Sequence, residues 1–183
     1  MALTKIRTSG ITADAVDNTI LDLADDFAFT GTISGTPANT PYFYGRKGSA
    51  QSITRNVTTK ITGFTTDELD TDSAFDGTTF TVPSGKAGRY YFHACVHSDY
   101  TAIGSDGERN LLYLYKNGST LNIYHDFFIN SGYNLAQVTN AYSTIVDLNA
   151  ADYIELFIYN KDGNASGNAK VASGSHFFGY RLV

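Results

Sequence analysis

From residue 42 onward, apolar side chains recur at every second position in short runs, and clusters of Gly, Asn, Asp and Ser separate the runs. That spacing belongs to strands rather than helices. The clearest run covers 89–97. Because side chains alternate along a strand, Tyr90, Phe92, Ala94 and Val96 share one face and should enter a core, while Tyr91, His93, Cys95 and His97 point the other way. Further strands are expected at 42–46, 79–83, 111–116, 121–130, 142–148, 153–159 and 175–183. Residues 49–64 are expected as one long alternating stretch through Ile53, Val57 and Ile61. Asn117-Gly118 is a strong two-residue hairpin signal. About nine strands in even succession, with no helix between them, predict an antiparallel sandwich or jelly roll.

Residues 1–36 read differently. Ile11, Ala15, Ile20 and Leu23 make a thin helical stripe, and Phe27 and Phe29 lie on one face of a strand-like run over 27–35. A short isolated helix cannot bury such a stripe alone. The segment therefore either orders against another copy or another protein, or is a flexible tail. The division expected is an N-terminal docking segment over 1–36 and a β domain over 37–183.

The chain has 183 residues, with 42% hydrophobic and 17% charged, enough apolar material for a core and too little charge for disorder. A net charge of −5 and a pI near 5.2 speak against nucleic-acid binding. No apolar run reaches membrane-spanning length, so no membrane insertion is expected, and the opening residues lack the apolar core of a signal peptide. With Cys95 alone, no intrachain disulfide can form.

Candidate chemistry is sparse, and no enzyme is expected. His93, Cys95 and His97 share a face, but same-face neighbours stand about 6–7 Å apart, wider than one metal ion spans with ~2.1 Å bonds. A satisfied interface histidine is the plainer reading, and no metal site is assigned. The histidines His93, His97, His125 and His176 and the many acids allow accidental triads, but no Gly-x-Ser-x-Gly elbow occurs. Mid-strand, Cys95 reads as a small apolar residue. The carboxylate pairs Asp25-Asp26 and Asp70 with Asp72 fall in tail and turn segments, where solvated charge is common. Tyr100, Tyr133 and Tyr142 near predicted loops could stack on sugars or simply pack.

Five motifs in order carry a family resemblance. They are Phe75-Asp76-Gly77-Thr78-Thr79-Phe80-Thr81-Val82-Pro83, Gly88-Arg89-Tyr90-Tyr91-Phe92, Leu114-Tyr115-Lys116-Asn117-Gly118, Asn149-Ala150-Ala151-Asp152-Tyr153, and Phe177-Phe178-Gly179-Tyr180-Arg181-Leu182. Together they resemble the globular heads of the complement C1q and tumour-necrosis-factor superfamily over most of residues 42–183. In the fourth motif Ala151 stands where the family usually has Gly, so a differently shaped turn is expected there. The resemblance implies an all-β, C1q/TNF-like jelly roll assembling as a homotrimer, with no catalysis and no ligand residue that transfers by motif. Some C1q-like heads carry calcium, and the acidic stretches 67–76 and 98–108 offer oxygen ligands, so calcium is the one cofactor kept open; none is assigned.

The composition agrees with a trimer. Twelve Phe and thirteen Tyr exceed what one sandwich of this length needs inside, and subunit interfaces favour aromatics. Tyr91, His93, Cys95 and His97 are accordingly expected at the trimer interface.

The opening of the chain, Thr4-Lys5-Ile6-Arg7, then Gly10-Ile11-Thr12-Ala13-Asp14-Ala15-Val16-Asp17, then Leu23-Ala24-Asp25-Asp26-Phe27-Ala28-Phe29-Thr30-Gly31-Thr32, resembles the starts of fibre-like structural proteins of marine bacteriophages. This implies a virion location, docking on other virion proteins through residues 1–36, and a head facing a host surface receptor or glycan. Under that reading the sequons at Asn56, Asn117 and Asn164 are chance. The alternative is a free C1q-like lectin or ligand-binding module.

Overall fold

The computed structural model describes residues 39–65, 69–100, 108–129, 137–161 and 169–182, all within the compact unit Pro37–Val183. The readings for residues 1–36, Tyr133 and most of the 98–108 loop lie outside the described residues, as does the side chain of His125.

Twelve strands are present among the described residues: β1 (Tyr42–Lys47), β2 (Gln51–Ile53), β3 (Thr58–Lys60), β4 (Phe64–Thr65), β5 (Thr79–Thr81), β6 (Gly88–Asp99), β7 (Glu108–Lys116), β8 (Ser119–Ile129), β9 (Gln137–Leu148), β10 (Tyr153–Lys161), β11 (Ala169–Val171) and β12 (His176–Leu182). A single 3-10 turn, Thr71–Ser73, is the only helical element described. Twelve strands replace the nine expected because the 49–64 run breaks into three and β11 is added. The run breaks at Asn56, whose φ of +57° turns the chain; Ile53 and Ile61 stay buried while Val57 is turned out to 49% exposure.

The strands form two antiparallel sheets. In the first, β6 is the spine. One edge pairs along its whole length with β9, from Gly88↔Leu148 to Asp99↔Gln137. The other edge pairs with β12 over Arg89 to Cys95 and then with β11 at Ser98 and Asp99. Beyond β12 come β1 and β4, and beyond β11 comes β2. The second sheet runs β8-β7-β10, with the far edge of β10 shared by β5 and β3. Successive strands from β5 to β11 cross between the sheets at every step except the β7–β8 hairpin. This is a jelly-roll sandwich.

The core lies between the sheets, as alternation predicts. Tyr90, Phe92, Ala94 and Val96 are at most 1% exposed, facing Leu112, Leu114, Ile154, Leu156 and Ile158 from the opposite sheet. At its centre Phe43 stacks on Phe75 (centroids 4.4 Å apart) and Phe80 (5.1 Å) and meets Phe177 edge-on (5.1 Å). Gly179 of β12 is required by close approach. A Cβ there would stand 2.5 Å from Phe92 Cδ1 and 3.0 Å from the Tyr91 carbonyl oxygen.

The two hairpin-like turns at one end of the sandwich are tied together. Asn117 and Gly118 both have positive φ (+53° and +75°), as the two-residue turn demands. Asn117 Nδ2 donates to Asp152 Oδ1 (2.8 Å), Tyr153 N donates to Asn117 Oδ1 (2.9 Å), and Lys116 Nζ lies 2.9 Å from Asp152 Oδ2. Hydrogen bonds from Asn117 and the Asn149 amide, and then the Lys116 ammonium, hold the Asp152 carboxyl down to about 2. Ala151 in this turn takes a left-handed conformation, φ +68°, at the steric cost a Cβ brings there. Ala151→Gly is therefore expected to stabilise the fold by about 0.5–1 kcal/mol, read as a rise of a few degrees in Tm.

At the other end the core turns polar. Asn110 Nδ2 donates to the Tyr100 hydroxyl, and Asn140 Nδ2 donates to Asn110 Oδ1. Tyr100 is 1% exposed, so it is a core residue and not the sugar-stacking loop aromatic the sequence allowed. Tyr142 is likewise on the inner face of β9, packed against the core.

Candidate functional site: the outer face of the β6 sheet

The residues that β6 turns away from the core do not stand alone. Antiparallel register places same-face residues side by side across strands, and here it assembles them into rows. Tyr42 (β1), Tyr180 (β12), Tyr91 (β6) and Ile145 (β9) form one row. Tyr44, Phe178, His93 and Ser143 form the next, and Arg46, His176, Cys95 and Ala141 the third. His97 and Thr139 continue the face.

Ring contacts join the rows. His93 lies 5.0 Å from Phe178 and 5.8 Å from His176 between centroids; Tyr91 lies 5.2 Å from Tyr180 and 6.2 Å from Phe178; Tyr44 lies 5.7 Å from His176. The polar atoms of the β6 rings are turned to β9. The Tyr91 hydroxyl donates to Ser143 Oγ (2.9 Å), His93 Nδ1 is 2.8 Å from the same oxygen, and His97 Nδ1 is 2.7 Å from Thr139 Oγ1. An apolar groove lined by Tyr42, Tyr44, Leu69, Phe178 and Tyr180 runs beside β1.

Much of this surface is open in one subunit. Tyr42 is 38% exposed, Tyr44 37% and Ile145 58%. Charge is confined mainly to its ends. Arg89 pairs with Asp147 at 3.0 Å beyond the tyrosine row, and Lys170 stands opposite Asp99 in register beyond His97. Between them Arg46 is the sole formal charge among the described residues that the four strands turn to this face. Burial lowers the His93 pKa, and the nearby His176 lowers it further. Burial also pushes the Cys95 thiol up, away from the thiolate. An apolar centre with a charged rim is the anatomy of a subunit interface.

All four interface residues expected from the sequence, Tyr91, His93, Cys95 and His97, lie on this one face, partly buried even in the single chain. Reasoning from β6 alone missed Tyr42, Tyr44, Ile145, His176, Phe178 and Tyr180. The signal was present in the phase of Tyr42-x-Tyr44 and His176-x-Phe178-x-Tyr180; what was missing was the strand order that sets them beside β6. Within the acidic stretch 67–76, two described carboxylates are hydrogen-bonded to backbone amides. Asp70 accepts from the Ala74 and Phe75 amides, and Asp76 from the Thr78 and Thr79 amides, so these carboxylates brace turns.

The fold compares with solved structures. The globular domain of zebrafish complement 1qA superposes with a TM-score of 0.50 at 14% identity, covering 79% of this chain and 98% of that one. Murine APRIL, crystallised at pH 5.0, gives a TM-score of 0.50 at 13% identity, covering 77% and 98%. No protein-family model matches the chain, and no curated protein sequence matches it. At such identities the likeness defines the class of fold: a C1q/TNF-like jelly-roll head.

Proposed function

We propose that this chain is a homotrimeric, non-enzymatic binding head whose subunits meet through the outer face of the β6 sheet, and that it is a fibre-type appendage of a bacteriophage virion. The observation that carries the trimer is the continuous aromatic and histidine surface of β1, β12, β6 and β9, with exposed Tyr42, Tyr44 and Ile145 and charge held mainly to its ends. A surface of that kind is costly to leave wet and marks an interaction site. Closed symmetry satisfies it with copies of the same chain. The resemblance of residues 1–36 to phage fibre proteins supports the virion reading. In it, that segment docks the trimer on the particle and the head contacts a host surface receptor or glycan. Three weak sites per trimer, multiplied over several trimers, raise avidity through effective concentration.

The full chain should sediment as a trimer at micromolar concentration and be found in purified particles at multiples of three copies. A chain lacking residues 1–36 should still be a folded trimer but should no longer join particles. A monomer in sedimentation would end the trimer reading, and incorporation of the truncated chain would end the docking assignment.

A further inference from the structure

Resting on the trimer reading above, we propose that the subunit contact is acid-labile: His93 of each copy, stacked on His176 within the aromatic rows, must be neutral for copies to associate, so the assembly loosens as the surroundings acidify. The geometry is a stacked histidine pair inside the aromatic rows, with ring centroids 5.8 Å apart. His93 also packs at 5.0 Å against Phe178, and His176 at 5.7 Å against Tyr44.

The groups facing this pair are neutral or basic. From β6 they are Tyr91, Cys95 and His97; from β12, Tyr180; from β1, Tyr44 and Arg46, the latter opposite His176 in register. From β9 come only Ser143, Ala141 and Thr139. Asp147 and Asp99 lie beyond the outer rows, Asp147 beside Arg89 and Asp99 opposite Lys170. Asp70, beside β1, is engaged by the Ala74 and Phe75 amides. Protonation of His93 would thus put a cation among neutral rings, on the same face as Arg46, with no carboxylate between the rims. Burial of that face by a second copy would remove the water that makes such charge tolerable.

The sign follows from linkage. Within one subunit, burial and then His176 already hold His93 below the ordinary 6.5. A histidine whose pKa is lowered on assembly takes up protons on release. Assembly is therefore full-strength above about 6.5 and weakens as pH falls below it. Discharging His93 contributes up to about thirtyfold per copy between pH 8 and pH 5.

The test is sedimentation of the full chain at pH 8 and pH 5, as wild type and as His93→Gln/His176→Gln. The wild type is expected to be trimeric at pH 8, with a dissociation constant raised at least about tenfold at pH 5 and its β circular dichroism unchanged. The double variant is expected to show no such rise. A wild type equally tight at both values, a variant that keeps the wild-type pH dependence, or dissociation accompanied by loss of the β signal would each overturn the proposal. A wild type already monomeric at pH 8 would instead refute the trimer reading. Should the variant fail to assemble at pH 8, exchange of labelled wild-type subunits decides: a rate rising as pH falls through about 6.5 supports the proposal, and a flat rate overturns it.

Discussion

Phe178→Glu yields a folded monomer where the parent chain is a trimer. Phe178 sits in the middle row of the outer face, with His93 at 5.0 Å, Tyr44 at 6.1 Å and Tyr91 at 6.2 Å between ring centroids. In a single subunit its side chain lies on the surface layer, outside the phenylalanine core, so a carboxylate there keeps its water and the sandwich survives. In the trimer the same carboxylate would be buried in an apolar centre. Losing a central aromatic anchor costs roughly 2 kcal/mol or more per copy, and symmetry repeats the loss three times. About 6 kcal/mol is more than ten-thousandfold in affinity, before the desolvation of the new charges is added. Sedimentation velocity with circular dichroism checks both halves: a smaller species with an unchanged β spectrum. A variant that stays trimeric would move the interface off this face.

Phe43→Ala has the opposite signature: the fold itself goes. Phe43 is 2% exposed and touches the rings of Phe75, Phe80, Phe92 and Phe177, so it joins β1 and β12 of one sheet to the β5 segment of the other. Truncation leaves a hole among rings that cannot close around it, because their own backbones are fixed in paired strands. Such changes cost about 3–5 kcal/mol, a large part of the 5–15 kcal/mol a domain of this kind has in total. Chemical denaturation should show the midpoint falling sharply. A loss under about 1 kcal/mol would mean the cluster is far looser than its 4.4–6.4 Å centroid spacings indicate.

The contrast between these two rings explains what could be read from the chain alone. Alternation tells which residues of one strand share a face, so the buried Tyr90-Phe92-Ala94-Val96 series and the opposite Tyr91-His93-Cys95-His97 series were both legible. Alternation does not tell which strand lies beside which. β12 and β9, with one or more whole strands between them and β6 in sequence, supply Phe178, His176 and Ile145 to the same surface, and only long-range pairing brings them there. Short strands were illegible for another reason. β4 and β11, two and three residues long, exist because an established edge offers partners for their backbones, and no local pattern announces that. The left-handed backbone at Ala151 was illegible too, because residue type does not announce it; the hydrogen bonds around Asp152 accompany it.

The polar end of the sandwich tolerates change differently from the opposite end. There the neighbouring strands are joined through the amides of Asn110 and Asn140 and the hydroxyl of Tyr100, not through interlocked rings. The connections after β6, β8 and β10 all depart from that end. Amide-to-amide bonding is local, so a longer or differently composed connection there perturbs its own anchor and leaves the phenylalanine cluster alone. The opposite pole, where Lys116, Asn117 and Asp152 clasp two turns, has no such latitude. Changes in the connections at one pole are thus separated from the clasp that keeps the strands in register at the other.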